Sequence, residues 1–357
     1  LSKAPKDAPE FPEGDIAPGC AHPRAVYDLI GHDAAQAKMC EGLESGRMHH
    51  AWLLTGPKGV GKATLAYRLI RRVLGGTPLT PGGLDVPQSD PVAARVESLG
   101  HGDFLLLRRP YDLKTKKIRT EIPVSEARKL PDFFSLKASE GGWRVALIDS
   151  ADDLNVSSEN AILKTLEEPP EKTLIILLSS EPGRLLPTIR SRCMNLTLRG
   201  VPTGQITDWL TARGVNDKTA AMAASFSRGA PGKAFALAQS EAEVLRPLQS
   251  LLGSLPLGNA GLEHRIAGSL AAVNAGEARS LFWDCLTDTV YRQAIYSGTG
   301  AWPQKEGPAI GPLKLDRPKA FWLKLWDDLL ELQRAEAGLN MDKTTVMLSA
   351  MTKLRAA

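Results

Sequence analysis

Up to about residue 200 the chain alternates between short runs that are almost wholly apolar and longer stretches whose apolar residues recur at helical spacing. AWLLT (Ala51–Thr55) is the first such run. A glycine-rich turn follows, then KATLAYRLIRRVL, in which Leu65, Ala66, Leu69, Ile70, Val73 and Leu74 share one helical face. Gly75 and Gly76 supply the stop. Further strands are predicted at 104–107, 144–148, 173–178 and 194–198. Runs apolar at nearly every position suit strands buried on both faces. Between them lie helical stretches such as SENAILKTLEE, ended by Pro169 and Pro170. Strand, helix, strand in this order predicts an α/β domain: a five-stranded parallel sheet with flanking helices.

Past residue 200 the strand pattern stops. Short helices are predicted near 203–213, 217–227 and 231–239, and everything beyond 240 reads helical. The expected organisation is a tail over 1–24, the α/β domain over 25–200, three helices over 201–241 and a helical region over 242–357. The tail is expected because five prolines, mixed charges and few large apolar residues offer little to offset the entropy of ordering.

Composition narrows the class. Of 357 residues, 43% are hydrophobic and 24% charged, which excludes a mainly disordered chain. The net charge of +4 neither demands nor excludes a nucleic-acid partner. No apolar run approaches the ~18–20 residues of a membrane helix, and the N-terminus lacks the apolar core of a signal peptide, so a cytoplasmic protein is expected. Cys20, Cys40, Cys193 and Cys285 form no CxxC pair, which argues against structural zinc and against a disulfide framework.

Three constellations carry chemistry. The first is Gly56-Pro57-Lys58-Gly59-Val60-Gly61-Lys62-Ala63-Thr64, a GxxxxGK loop with a strand before it and a helix after it. Its glycines let backbone N–H groups turn toward phosphates, and Lys62 adds a point charge. The position after the lysine normally carries a hydroxyl for Mg²⁺. Here it is Ala63; Thr64 lies one position on, about 100° around the helix, unless a local shift brings it in. The second is VALIDSAD, an apolar strand ending in Asp149, a Walker B pattern that includes Ser150 and Asp152. Ser150 stands where a glutamate would polarise the attacking water, and a neutral hydroxyl is a poor base at pH 7. Two such losses, together ~4 kcal/mol of barrier lowering, cost about a thousandfold in rate, so no useful ATP turnover is expected. The third is Ser191-Arg192-Cys193 ahead of the last strand. On spacing alone, Arg192 is either a surface arginine paired with a carboxylate or a finger that reaches a neighbour's phosphate.

Taken together, LIGHDAAQAKM, HHAWLLTGPKGVGKATLAYRL, WRVALIDSADDLN, NAILKTLEEPPEKT, LIILLSSEPGRLLPTIRSRC and SRGAPGKAFAL resemble, in family order, the bacterial clamp-loader AAA+ subunits. The resemblance covers residues 28–240; NAILKTLEEPP followed by SRC is its most specific part. It implies a RecA-like AAA+ domain, a three-helix lid and a helical collar that assembles a hetero-oligomeric ring. It implies as partners the gamma/tau and delta subunits and, through the ring, the sliding clamp and primed DNA. It makes Arg192 the finger that completes an adjacent subunit's ATP site, with Ser191 and Cys193 shaping the turn. Three departures point away from a motor subunit: Ala63, Ser150, and Gly232 where the lid usually offers an arginine, with Lys233 adjacent. The family's zinc cysteines are missing from 65–142. ATP or ADP held without turnover, with Mg²⁺ poorly held and no zinc, is the resulting expectation. The alternatives are an active motor ATPase and a lone nucleic-acid binder. Lys114, Lys116, Lys117 and Arg119 read as a solvated hairpin or loop, since no aromatics are interleaved for stacking. Phe321, Trp322 and Trp326 read as packing, and His49 and His50 lack partners at metal-ligand spacing.

Overall fold

The computed structural model describes residues 12–16, 20–140, 142–303, 311–313, 315–339 and 341–356. Its strands are β1 (Ala51–Thr55), β2 (Phe104–Arg108), β3 (Tyr111–Asp112), β4 (Lys117–Ile118), β5 (Arg144–Asp149), β6 (Thr173–Ser179) and β7 (Met194–Thr197). Five of them make one parallel sheet in the order β2-β5-β6-β1-β7, while β3 and β4 form a separate antiparallel pair. The helices of this unit are α1 (Asp33–Glu44), α2 (Lys62–Val73), α3 (Pro91–Glu97), α4 (Val124–Ala127), α5 (Lys129–Ser135), α6 (Val156–Glu167) and α7 (Pro187–Arg190).

The period of two along each strand splits the core into two layers. Trp52, Leu54, Val145, Leu147, Ile176 and Leu178 face the side packed by Leu65, Leu69 and Ile70 of α2. Ala51, Leu53, Ala146, Ile148, Ile175 and Leu177 face the side packed by Ile162 and Leu166 of α6. That is why these runs look continuously apolar: both faces are covered. Asn155 caps α6 by accepting from Ser158 N–H at 3.0 Å, and the helix stops before Pro169.

The expected tail needs correction. Residues 1–11 and 17–19 lie outside the described residues, but 12–16 and 20–24 pack onto the sheet unit. Arg108, at the end of β2, pairs with Glu13 at 2.7 Å and with Asp15 at 2.5 Å. Arg24 pairs with Glu13 at 2.9 Å, and His22 Nε2 lies 3.0 Å from Asp15 Oδ2. The Asp15 side chain is fully buried. Burial alone would raise its pKa, but His22 and Arg108 outweigh burial and leave it below the usual carboxylate range. The charges that made the segment look solvated are consumed by one another.

The second unit, Pro202–Ala357, contains only helices and turns among its described residues. Helices α8 (Thr203–Thr211), α9 (Asp217–Phe226) and α10 (Pro231–Gln239) match the three expected short ones. They precede a π-helical turn (Glu241–Leu245) and α11 (Arg246–Gly253), α12 (Ala260–Ala271), α13 (Gly276–Thr299), α14 (Lys319–Leu339) and α15 (Lys343–Arg355). Phe282, Trp283, Trp322, Met347 and Met351 are buried in it, and Glu336 ties α14 to α13 through Arg279 at 2.7 Å and Trp283 Nε1 at 2.9 Å. Among the described residues no helix is long and apolar enough to cross a membrane.

Candidate phosphate loop and exposed arginine

β1 runs into the loop from inside the sheet, with β6 on one side and the edge strand β7 on the other. Gly56, Gly59 and Gly61 all have positive φ, at 141°, 77° and 112°. At Gly56 the need is also steric, because a Cβ would run into the Leu198 carbonyl. Pro57, Lys58 and Gly59 form an exposed tip, while Val60 is buried and its carbonyl accepts from or faces His32 Nε2 at 2.9 Å. Lys62 opens α2 and is nearly buried. Its Nζ donates to Gly56 O at 2.7 Å, Pro57 O at 3.0 Å and Ser180 Oγ at 2.9 Å. Burial lowers its pKa to about 8, against the pull of Asp149 and Asp152.

Ala63 packs against the α2-side core, and Thr64 is half-buried one position on. Asp149 ends β5, and burial first, then Asp15, pushes its pKa up to about 7. Ser150 Oγ lies 3.1 Å from Asp152 Oδ2 and 3.2 Å from Leu178 O, so its single proton is shared locally. Asp152 accepts from Ser179 Oγ, from Ser180 N–H at 2.6 Å and from Glu181 N–H at 3.4 Å. It fastens the loop after β6 and is not a free acid.

The glycine cradle and Lys62 fit a phosphate. Of the side chains beside the loop, Ala63 offers no oxygen, burial raises the pKa of Asp149, and Ser150 and Asp152 are engaged with neighbours. Among the described residues, the group with metal-ligand proximity is Glu13, Asp15 and His22, and Arg108 and Arg24 already neutralise it. In the second unit Lys233 donates to Asp284 at 2.7 Å.

Arg192 follows α7 and is about a third exposed. Its Nη2 lies 2.7 Å from Glu167 Oε1, at the last residue of α6, and its Nη1 donates to Thr188 O at 3.0 Å. Ser191 Oγ donates to the same carbonyl at 3.1 Å. The Cys193 thiol is buried and pushed up to about 12 by desolvation, which makes it inert. The two most specific sequence stretches, LEEPP and SRC, therefore meet at one ion pair. Sequence reasoning missed Ser180 and the arm of residues 13–24. The signal for Ser180 was present: once β6 is placed beside β1, the register Thr55↔Ser179 puts the next residue level with the phosphate loop.

Residues 31–202 match the family described as DNA polymerase III, delta subunit. Relatives include the delta' subunits of Pseudomonas aeruginosa (34% identical, 48% of this chain and 49% of that one) and Escherichia coli (32%, 62% and 65%). Over its sheet-bearing unit this chain is similar to DNA polymerase III subunits. The Escherichia coli tau subunit is 33% identical over 52% of this chain and 27% of its own length. The chain thus spans between 27% and 65% of these relatives' lengths. Among solved structures, the gamma subunit-related protein of Thermotoga maritima is similar at 16% identity and a TM-score of 0.38, covering 89% and 99% of the two chains. The matched stretch coincides with the unit that carries the parallel five-stranded sheet, and a helical unit follows it along the chain.

Proposed function

We propose that this protein is the delta'-type subunit of a clamp-loader ring: it lends Arg192 to the ATP site of a neighbouring gamma/tau-type subunit and does not turn over ATP itself. The observation that carries this reading is the chemistry around its own phosphate loop, where Ala63 replaces the metal-binding hydroxyl and Ser150 the base. Arg192 supports the other half, since it stands at the surface on a single exposed ion pair. In a neighbour's site its planar fork would stabilise charge on the transferring phosphoryl group, an effect worth about 10³–10⁵ in rate. Residues 203–239 would serve as the lid and 242–357 as the collar. The remaining partners are the delta subunit and, through the assembled ring, the sliding clamp and primed DNA, all in the cytoplasm. ATP or ADP would sit on the loop without being cleaved.

The rival reading is a gamma/tau-type motor, which the comparable identity to the tau subunit favours. Two measurements separate them. Arg192→Ala in the reconstituted ring is expected to lower ATPase at the adjoining site about a thousandfold and to abolish clamp loading; unchanged activity overturns the finger. The isolated chain with Mg²⁺ and primed DNA is expected to show no steady hydrolysis. Turnover that Lys62→Ala abolishes makes it a motor.

A further inference from the structure

We infer that Glu167 is a positioning residue for Arg192, setting the plane of the guanidinium before a partner's phosphate arrives; this rests on the finger reading above. Glu167 closes α6, where the helix dipole disfavours a carboxylate. The nearby guanidinium offsets that cost, and the cation has a second fixed point at the Thr188 carbonyl, within α7. Two acceptors on different elements define a plane for a side chain that otherwise carries much rotamer freedom. One Nη1 proton goes to the Thr188 carbonyl, and Nη2 lies in ion-pair contact with Glu167 Oε1. Among the described residues the Nε–H has no hydrogen-bond partner, so one edge of the guanidinium stays open for an anion.

Magnitude decides between orienting and locking. The Arg192 side chain is 35% exposed and that of Glu167 is 45% exposed. A pair this exposed shifts an equilibrium by about fivefold at most. A phosphate bearing several charges displaces such a contact, so Glu167 orders the arginine without trapping it. Its removal costs the pre-organisation and leaves the chemistry of the finger in place.

The test uses the ring reconstituted with its ATP-hydrolysing subunits, and the isolated chain. Glu167→Ala is expected to lower the adjoining site's kcat about fivefold with KM for ATP unchanged, while Glu167→Gln, whose amide oxygen still accepts, stays near the parent. In the isolated chain the thermal midpoint of Glu167→Ala is expected to stay put. Nitrogen-15 relaxation of Arg192 Nε–H should report faster motion in Glu167→Ala and not in Glu167→Gln. Unchanged kcat or unchanged Nε–H motion in Glu167→Ala overturns the inference. Raised activity also overturns it, since that marks Glu167 as a restraint, and so does an equal loss in Glu167→Gln. Arg192→Ala distinguishes the two failures: if it is inactive while Glu167→Ala is neutral, only the positioning role falls, and if it is fully active the finger falls as well.

Discussion

Lys62 Nζ and Ser180 Oγ lie 2.9 Å apart, which ties the first residue of α2 to the residue after β6 across the mouth of the phosphate loop. With the Gly56 and Pro57 carbonyls, Ser180 uses all three protons of the ammonium. An incoming phosphate must replace at least one of these bonds.

This geometry gives Lys62 an unusual pH signature. Its folded pKa of about 8 lies below the ordinary 10.5, so between those values the unfolded chain binds more protons than the folded one. Stability contributed at this site therefore rises with pH across that window. Lys62→Met should remove the rise. Denaturant midpoints of the two proteins, compared across the window, check it: the variant is the more stable at pH 7, and the gap narrows as pH climbs toward 10.5.

Asp149 behaves in the opposite sense. Its folded pKa of about 7 lies above the ordinary 3.8, so the folded state keeps a proton that the unfolded state has lost. Stability falls as pH rises between those values. Asp149→Asn, neutral and of the same shape, should flatten that fall and be more stable above pH 7 by a few kcal/mol at most. Ring ATPase should not change.

Gly56→Ala places a Cβ against the Leu198 carbonyl at a φ of 141°. The expected cost is about 2 kcal/mol or more. Gly183→Ala, where nothing lies within 4 Å of the new carbon, should stay within about 0.5 kcal/mol. Equal midpoints for the two variants would contradict the steric reading.

Arg108→Met strips the shared cation from Glu13 and Asp15, leaving the fully buried Asp15 carboxylate with His22 alone and Glu13 with Arg24. Breaking such a pair costs about 3–5 kcal/mol. Adding Asp15→Asn should recover part of the loss, because the second change removes the stranded charge. A double variant no more stable than Arg108→Met alone would show that the arm is held by something other than this network.

The sheet was readable because strands buried on both faces are apolar nearly throughout, as Leu174–Leu178 of β6 are, and because Gly56–Lys62 announces its own turn. Ala63 and Ser150 were visible as missing oxygens and carboxylates. The arm was not readable: Glu13 and Asp15 look solvated until Arg108, more than ninety residues away, is placed beside them. The contacts of Asp152 were hidden for a related reason: only the fold brings the amides after β6 to its carboxylate.

The strand that leads into the phosphate loop has both of its neighbours late in the chain: Thr55 Oγ1 meets Thr197 Oγ1 at 2.9 Å, across 142 positions. At ribosomal speeds of about 5–20 residues per second, that separation takes roughly ten to thirty seconds to synthesise. Until β6 and then β7 are made, the nascent AWLLT segment keeps at least one unpaired apolar edge, and this domain is expected to lean on holdase chaperones in the meantime.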